Sequence, residues 1–467
     1  MDNIKEIRLL FKILSPIRAM DDNLWYQLGQ CIFDIDSNLF DLWIKFGQKF
    51  RDDCDISECA LVWNRMEKTN YTMRTLRYFA NKDDPVTYSK LLEPEFKEAR
   101  QHGMEGSHNT IAKLLAQKYK FQFVCASVKH NIWYQFVDHK WIKIDNAYTI
   151  RNLISDELAS DYGKWQSELY ESSKQAEGYE KARLIDNATT ISKTIKSLGD
   201  SIFKNYVIQE YACMVYDPEF LNKLDENIGL ICFKNGVYDL KNNYFRDGYP
   251  DDYISLCTGY DYSEDTKDNM LVDEIKNYFS KLFPDTDTKI HVIKLLRNCI
   301  RGSHNESNLH TLLGSGSNSK SIFMQLIKYL MGDYFFYSSS DILVKSQNNC
   351  IWYADRILEF SNSKGKRVHF ICELNCNTNI NLKYLEEFNN KQQTQMLTGE
   401  KFKPQFKSFL VTNYNPFTTA EPDTTNKIQI IDFKSVFTKE NRDFNLDKIL
   451  VKWAPVLMTM LLDNVLL

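Results

Sequence analysis

A run of small and polar residues lies between two apolar segments in the C-terminal third of the chain. It reads GSGSNSKS over residues 314–321, follows the apolar segment Leu309–Leu313, and continues into SIFMQLIKYLMG from its last serine. A small-residue loop between a strand and a helix suits phosphate, because its backbone N–H groups point inward and the helix N-terminus adds positive dipole. The pattern predicts a phosphate-binding loop formed by Gly314, Ser315, Gly316, Ser317, Asn318, Ser319, Lys320 and Ser321.

The last two residues of this loop carry groups that would contact a nucleotide. The Lys320 ammonium would reach the β and γ phosphates, and the Ser321 hydroxyl would ligate Mg²⁺. Ser319 stands where the usual pattern, G-x-x-x-x-G-K-[ST], has its last glycine. The alternative is a serine- and glycine-rich turn without a ligand, but the strand before the loop and the helix after it favour phosphate binding.

Two further apolar segments of the same region end on polar side chains. KRVHFICE ends at Glu373, and KSFLVTN ends at Asn413. In α/β proteins, ligands bind outside the carboxyl ends of the strands. A carboxylate there can polarise an attacking water or position Mg²⁺, and an amide can orient the γ-phosphate or the water. Taken singly, each residue is equally compatible with an ordinary exposed strand end.

The elements that must position these side chains fall into three segments. Residues 1–85 show apolar residues at helical spacing, which predicts a small helical module with tryptophans in its core. Residues 86–265 combine helical stretches with short alternating strands, which predicts an α+β domain. In residues 266–467 strands alternate with helices, so we expect a parallel sheet. The predicted fold is therefore α/β, with a C-terminal P-loop domain after an α+β middle domain and a helical N-terminal domain.

Aromatic residues are concentrated in residues 121–145, where alternation predicts short strands with turns near Asn131 and Asp138. Some of these rings could stack on nucleic-acid bases. Packing in the core of a small sheet is the preferred interpretation. The rings concerned are Trp133, Tyr134, Phe136 and Trp141.

Basic residues cluster in two short stretches near the predicted strands. A solvated charged face is the default interpretation of such clusters. The alternative is a DNA-facing surface of a ring-shaped oligomer, because phosphate contacts come from such side chains. The clusters are Lys364, Lys366 and Arg367, and Lys401, Lys403 and Lys407.

The composition excludes several classes of protein. The chain has 467 residues and a net charge of −4, which argues against a generally basic surface without excluding a local basic channel. Its 11 cysteines form no Cys-x-x-Cys pair, so we expect reduced thiols and no zinc site. The N-terminus lacks the apolar core of a secretory signal, and no stretch approaches the ~20 apolar residues of a membrane span. We expect an intracellular, soluble protein.

In their order along the chain, the motifs resemble those of superfamily 3 helicases, in particular the viral primase-helicases of poxviruses and giant viruses. GSGSNSKS resembles the Walker A loop, FICE the Walker B strand with Glu373 in the acidic position, and FLVTN the sensor strand with Asn413 as the sensor. IQIIDFKSVF, residues 428–437, resembles the closing strand. The family's arginine finger, just before that strand, falls on Lys427.

The resemblance covers nearly the whole chain. NGVYDL, TGYDY and the aromatic segment 121–145 resemble the linker domain that precedes the helicase in these viral proteins. The tryptophan-rich N-terminal block resembles the helical accessory module found C-terminal to primase catalytic domains. No primase catalytic segment is recognised, and the sequence does not show whether a separate chain supplies the primase.

The resemblance implies an AAA+-like ATPase that uses ATP and Mg²⁺ to unwind DNA during viral replication. It further implies a ring-shaped homo-hexamer on single-stranded or forked DNA, with other replication proteins as partners, in the host cytoplasm or at a viral replication site. Glu373, Asn413 and Lys427 would be catalytic. Glu373 would also lie beside Mg²⁺, and Lys427 would act across a subunit boundary.

Two other functions stay open at this point. A catalytically degenerate paralogue could bind DNA or a replication partner as a structural subunit, since Ser319 and Lys427 depart from the family's glycine and arginine. A P-loop kinase would need an arginine-rich lid after Ser321, which the sequence does not show. DNA-stimulated ATP turnover separates the degenerate paralogue from an active motor.

Overall fold

The chain divides into two compact units. A computed structural model describes residues 3–91, 106–264, 269–302, 309–314, 319–343, 363–372, 394–395, 401–416, 428–434, 446–463 and 465–466. Unit 1 consists of Met1–Val137, Trp141–Leu221 and Tyr249–Tyr253. Unit 2 consists of Asp138–Lys140, Asn222–Gly248 and Ile254–Leu467. The domain boundaries placed after residues 85 and 265 remain predictions.

The first half of the chain is mainly helical, and capping side chains start several of its helices. Asp21 accepts a hydrogen bond from the Leu24 N–H, and Asp55 accepts from the Ser57 N–H. Each cap satisfies a donor that the first helical turn leaves without a partner. The helices α1 to α12 are Asn3–Phe11, Ile17–Met20, Asp22–Ile35, Phe40–Phe50, Ile56–Arg65, Met73–Asp83, His108–Lys118, Tyr148–Leu153, Ala159–Gln175, Gly178–Gly199, Ser201–Met214 and Phe220–Lys223.

Tryptophans form the centre of the N-terminal helices, which confirms the interpretation of the sequence. Trp25 and Trp43 stack with ring centroids 4.4 Å apart, and Trp63 lies 5.3 Å from Trp43. The Trp43 indole donates a hydrogen bond to the Trp25 carbonyl at 3.2 Å. A Cβ at Gly29 would lie 2.7 Å from the Trp43 ring, so this close packing requires glycine there.

A buried carboxylate attaches the segment Tyr249–Tyr253 to the start of α6. Asp251 accepts hydrogen bonds from the Thr72 N–H and hydroxyl, each at 2.8 Å, and from the Thr75 hydroxyl at 2.8 Å. Burial raises the pKa of Asp251, whereas the Arg74 guanidinium and these hydrogen bonds act to lower it. The carboxylate therefore fixes a distant chain segment on the first turn of this helix.

A small sheet follows α7. Its strands, in sheet order β1-β2-β3, are Phe123–Ser127, Ile132–Val137 and Lys140–Ile144. Asn131 and Asp138 adopt left-handed φ angles of 50° and 54° at the two predicted turns, as Asn and Asp do more readily than other side chains. Trp133, Phe136 and Trp141 are buried. Core packing is therefore confirmed for these rings, and base stacking on them is excluded.

Unit 2 combines an antiparallel sheet with a five-stranded parallel sheet. The antiparallel strands β4, β5 and β6 are Leu230–Phe233, Gly236–Asp239 and Tyr244–Arg246. The remaining strands, β7 to β13, are Leu309–Leu313, Phe335–Ser339, Val368–Cys372, Thr394–Gln395, Lys401–Phe402, Lys407–Thr412 and Ile428–Asp432. The parallel sheet has the order β13-β7-β12-β9-β8, so the predicted α/β class is confirmed.

The register of the parallel sheet aligns the ends of its strands. Leu313 pairs with Thr412 on one side and with Asp432 on the other. On the far side of β12, Leu410 pairs with Ile371. Because every neighbouring pair in this sheet is parallel, the carboxyl ends of the strands meet at one edge.

Helices cover this sheet and complete the core of unit 2. The helices α13 to α16 are Asn269–Leu282, Thr286–Ile300, Ser319–Met331 and Leu446–Leu462. Helix α15 follows β7 and packs against α16. The core of unit 2 includes the buried residues Ile275, Leu326, Phe370 and Leu457. Among the helices that the structure describes, none is long and apolar enough to cross a membrane.

One residue of each basic stretch is buried instead of solvated. Arg367 is buried, and its guanidinium donates hydrogen bonds at 3.0 and 3.3 Å to two main-chain carbonyls of the segment 228–230. Lys407 is also buried. Both an exposed charged face and a DNA-facing surface are therefore wrong for these two residues. Lys403 is exposed, and the Lys401 side chain lies outside the described residues.

The two lysines that precede this arginine are also bonded within unit 2. Lys364 Nζ donates to the Asn222 carbonyl at 2.8 Å and lies 3.7 Å from a Glu226 carboxylate oxygen. Lys366 Nζ donates to the Asp333 carbonyl. Burial lowers the pKa of Lys366, whereas the Asp333 carboxylate acts to raise it. All three residues of the first basic stretch therefore donate hydrogen bonds to main-chain carbonyls of unit 2.

Gly332, directly after α15, cannot accommodate a side chain. Its φ is 52°, and a Cβ would lie 2.1 Å from the Thr258 carbonyl oxygen. We expect Gly332→Ala to lower the free energy of unfolding by about 2 kcal/mol or more, because left-handed φ alone costs an L-residue about 1–2 kcal/mol and the Thr258 main chain must move. Urea unfolding followed by tryptophan fluorescence measures the change.

Gly163, inside α9, is the control for this substitution. Nothing lies within 4 Å of its Cβ position. Gly163→Ala should therefore stabilise by about 0.5–1 kcal/mol through better helix propensity. Similar unfolding midpoints for Gly332→Ala and Gly163→Ala would show that the chain around Gly332 relaxes without cost.

Candidate functional site

Strand β7 leads the chain to the carboxyl edge of the parallel sheet at Gly314. The Leu313 carbonyl accepts a hydrogen bond from the Phe433 N–H at 2.7 Å. A Cβ at Gly314 would lie 3.0 Å from the Phe433 carbonyl oxygen and 3.2 Å from Lys320 Nζ. These contacts are tight for a side chain, so glycine allows the close approach of both groups at the start of the predicted loop.

Lys320 lies on the first turn of α15 and returns to the beginning of the loop. Lys320 is 8% exposed, and its ammonium donates a hydrogen bond to the Gly314 carbonyl. Burial lowers the pKa of Lys320, because the charged form loses solvation. An ammonium has three N–H donors, so this group can bind an anion while keeping its bond to the loop. The N-terminus of α15 contributes positive dipole at the same place.

The other residues of the predicted loop are described only in part. The Ser321 side chain is exposed on the first turn of α15. The main chain of Ser319 begins this helix, and its side chain lies outside the described residues. Residues 315–318 also lie outside them. The structure thus brings Gly314 and Lys320 into contact and leaves the roles of the remaining loop residues as predictions.

Strand β12 places Asn413 beside the end of β7. Thr412 pairs with Leu313 in parallel register, so Asn413 and Gly314 each lie one residue beyond a paired position. Neighbouring strands are ~4.8 Å apart. The Thr412 hydroxyl donates to the Tyr414 carbonyl at 2.8 Å, and the Asn413 side chain is exposed at this turn. The predicted sensor amide therefore lies next to the loop that contains Lys320.

Strand β9 ends against α15. Cys372 Sγ, at the end of the strand, lies 3.7 Å from Met324 Sδ on the helix. Glu373 follows in the sequence, but Glu373 and Lys427 both lie outside the described residues. Among the described residues, no group of three or more His, Cys, Asp or Glu side chains could hold a metal ion.

Phe433 belongs to this edge of the sheet and was not identified from the sequence motifs. Besides its contact with Gly314, its ring lies 5.6 Å from Phe323 on α15 and 5.1 Å from Phe283. The closing strand was recognised, but only its pairing with β7 shows that the residue after it faces the loop. Phe433 thus supports the start of the loop through main chain and ring together.

Two protein families match separate parts of the chain. The D5 N-terminal-like family matches residues 112–288. The primase C-terminal 2 family, PriCT-2, matches residues 7–80. The second match covers the tryptophan-rich helices, for which the sequence indicated a primase accessory module.

Similar proteins come from large DNA viruses. A candidate helicase of Acanthamoeba polyphaga mimivirus is 39% identical over 447 residues, which cover 94% of this chain and 46% of that protein. A candidate helicase of Invertebrate iridescent virus 3 is 25% identical over 71% of this chain and 39% of its own length. A candidate primase of African swine fever virus is 23% identical over 82% of this chain and 43% of its own length. The chain spans less than half the length of these relatives. The domain matches and the relatives show that the chain belongs to the viral primase-helicase family.

Proposed function

We propose that the chain is an ATP-dependent DNA helicase of superfamily 3 that acts in viral DNA replication. Residues 266–467 form its P-loop ATPase domain, residues 86–265 a linker domain and residues 1–85 a primase accessory module. The loop 314–321 binds ATP with Mg²⁺. The names of the viral relatives support a role in replication, and the contact between Lys320 and Gly314 supports nucleotide binding at this loop.

The order of the parallel strands is the observation that carries this proposal. Strand β12 separates the strand that enters the loop from β9, which Glu373 follows. Two strand spacings amount to ~10 Å, which leaves room for a water molecule between a nucleotide on the loop and a carboxylate after β9. The Asn413 amide follows the intervening strand and is positioned to orient that water. This order favours hydrolysis, in which water is the nucleophile.

Each group would act through charge and position. Lys320 binds the β and γ phosphates, and the Ser321 hydroxyl ligates Mg²⁺, which usually takes few protein ligands and keeps several waters. Glu373 activates the water and helps to position the metal. Asn413 orients the γ-phosphate together with that water. In this class of reaction most of the catalysis comes from electrostatic stabilisation and positioning.

A ring-shaped homo-hexamer completes the proposed site. Lys427 of one subunit contacts the γ-phosphate bound by its neighbour, with single-stranded or forked DNA in the ring. Lysine offers one compact ammonium where arginine offers a planar fork, so turnover should be slower than with arginine. A primase and other replication proteins are the further partners.

The test measures Mg·ATP hydrolysis by the full chain with and without single-stranded DNA. We expect DNA-stimulated hydrolysis by the wild type. Asn413→Ala should lower the rate by about 100-fold or more, because one positioned polar group is worth roughly 10² to 10³ in rate where charge develops. ATP affinity should stay nearly unchanged. Asn415→Ala, two residues further on, is the matched control and should leave the rate intact.

Two outcomes would redirect the proposal. ATP binding without turnover on any DNA would favour the catalytically degenerate paralogue, which binds DNA or a partner as a structural subunit. Equal rates for wild type and Asn413→Ala would remove the sensor role from this residue. Ser319, in the place of the last loop glycine, is the feature that gives weight to the degenerate alternative.

A further inference from the structure

Segments of unit 1 that are far apart in sequence meet in a network of amide side chains around one arginine. Asn131 Nδ2 donates to Asn146 Oδ1 at 3.2 Å. Arg151 Nε donates to the Asn146 carbonyl at 3.0 Å, and its Nη2 donates to Asn205 Oδ1 at 2.6 Å. The network thus joins the turn between β1 and β2, the turn after β3, α8 and α11 into one surface.

Exposed aromatic rings belong to the two helices that this network joins. Tyr148 begins α8, three residues before Arg151 and on the same helical face, and is 55% exposed. Tyr206 follows Asn205 in α11 and is 50% exposed. The His108 ring lies 5.1 Å from the Tyr206 ring. Tyr148 and Tyr206 therefore present exposed ring surface on the two helices that Arg151 joins.

The turn before Tyr148 has a strained backbone. Asn146 and Ala147 adopt successive left-handed conformations, with φ of 47° and 52°. For alanine this costs roughly 1–2 kcal/mol. Ala147 is fully buried, so it anchors the turn while Tyr148 and the Asn146 side chain face outward. Strain of this kind persists where the surrounding structure fixes it, and it accumulates at binding sites.

Several cations lie on the elements that this network joins. The hydrogen-bond partners of Arg151 in the network are neutral, so they do not neutralise its charge. Lys129 is exposed in the turn between β1 and β2, and Lys143 is exposed on β3. Asp145, next to Asn146, and Glu210, which accepts a hydrogen bond from Asn109 Nδ2 at 2.8 Å, are exposed acidic residues of the same region. Cations beside exposed rings suit a chain that alternates phosphates with flat aromatic groups.

We propose that single-stranded nucleic acid binds this surface of unit 1, with bases stacked on Tyr148 and Tyr206 and a phosphate bound by Arg151. Unpaired bases present the flat faces that exposed rings stack on, whereas paired bases keep theirs inside the duplex. Tyrosine and arginine are also enriched in protein interfaces, so an absence of oligo(dT) binding would favour a protein partner instead. The inference rests on the proposed function, which makes DNA the expected ligand. It adds a binding site outside the ATPase sheet.

The experiment uses the full chain without nucleotide and a fluorescein-labelled oligo(dT) of about 20 nucleotides, followed by anisotropy. Tyr148→Ala with Tyr206→Ala should weaken binding by about 30-fold or more, since each of the two stacked bases contributes about 1–3 kcal/mol and 1.4 kcal/mol corresponds to tenfold. The double Tyr→Phe variant keeps both rings and should retain the wild-type affinity. Tyr179→Ala is the matched control. Tyr179 lies on α10 and is more exposed than either tyrosine, so its loss should leave the oligo(dT) affinity unchanged.

The salt dependence separates stacking from phosphate contact. The tyrosine variants should keep the wild-type slope of log affinity against log salt, because they remove no phosphate contact. Arg151→Gln should reduce this slope. Duplex DNA of the same length should bind equally well to wild type and to the double Ala variant.

Three results would overturn the inference. They are no binding of oligo(dT) at low salt, full affinity in the double Ala variant, and equal losses in the Phe and Ala variants. ATP hydrolysis measured on the same preparations keeps the two proposals apart. If the protein does not hydrolyse ATP but binds oligo(dT) through the tyrosines, only the proposed motor is contradicted. If it hydrolyses ATP but binds oligo(dT) without the tyrosines, only this site is contradicted.

Discussion

Lys320→Met is expected to weaken ATP binding strongly and at the same time to stabilise the protein. The Lys320 ammonium is largely buried, and its described hydrogen bond goes to the Gly314 carbonyl. Burial lowers its pKa, which means that the folded protein disfavours the charged form. Methionine has similar length and helix propensity without charge, so the cost of burying the ammonium disappears together with the phosphate contact.

The expected loss of affinity is about 100-fold or more, because a charge-assisted hydrogen bond contributes about 1.5–3 kcal/mol and more than one is lost. Isothermal calorimetry with Mg·ATP measures this, and differential scanning calorimetry without nucleotide should show a Tm higher by about 2 °C or more. Lys328→Met is the control, since Lys328 is exposed on the same helix. It should alter neither quantity.

Two outcomes would contradict parts of this prediction. Unchanged ATP affinity in Lys320→Met would show that the loop 314–321 is not the nucleotide site. A lower Tm would show that the hydrogen bond to Gly314 stabilises the fold more than the buried charge destabilises it. In that case the conformation of Lys320 would be explained by stability alone.

Acid should unfold the parallel sheet well above the pH at which carboxylates alone would account for it. His369 in β9 shares hydrogen bonds with the Ser338 hydroxyl at 2.7 Å and the Ser408 hydroxyl at 3.1 Å. Burial lowers its pKa to about 3. Burial also lowers the pKa of His310 in β7 to about 3, with smaller effects from Lys407 and from His291.

The sign of the effect follows from proton binding. An unfolded histidine titrates near pH 6.5, so between about pH 6.5 and 3 the unfolded chain binds protons that the folded chain does not. Each imidazole then lowers the free energy of unfolding by about 1.4 kcal/mol for each unit by which the pH falls. For His310 and His369 together, stability should fall by about 5 kcal/mol between pH 6.5 and 4.5. Burial raises the pKa of Asp225 in the same unit, so its protonation offsets part of this loss near the acid end.

Urea unfolding at several pH values between 7.5 and 4.5 tests this prediction. His369→Gln can keep polar contacts with both serines and removes one titrating group, so it should reduce the slope of stability against pH by about half. His130→Gln is the control, because His130 is exposed in a turn. An unchanged slope in His369→Gln would mean that this imidazole can be protonated within the folded sheet.

The local elements around the candidate site could be predicted from the sequence because each depends on neighbouring residues. The strand at Leu309–Leu313 and the helix that begins at Ser319 are where apolar patterning and the small-residue loop indicated them. The turns at Asn131 and Asp138 followed from side chains that tolerate left-handed φ. Alternation and helical spacing act over a few residues, so they are visible in the sequence itself.

The strand order could not be derived in the same way. Phe409 pairs with His310, and Lys407 pairs with Val368. These pairs join segments separated by long stretches of chain, and an apolar strand buried on both faces carries no local mark of its neighbours. The insertion of β12 beside the loop strand, which brings Asn413 next to Gly314, is therefore a result of the tertiary structure.

The sequence by itself indicated most of the local elements around the candidate site, because these depend on local periodicity, although it did not indicate the edge strand Phe335–Ser339. Only the tertiary structure decided the surroundings of the polar groups. Arg367 was expected in solvent, as charged residues usually are, yet carbonyls of the segment 228–230 allow its burial. The helices that carry Tyr148 and Tyr206 are far apart in the sequence and are joined by the bond from Arg151 to Asn205. The reason is that a buried or fixed polar group needs partners, and the folded chain brings those partners from distant positions.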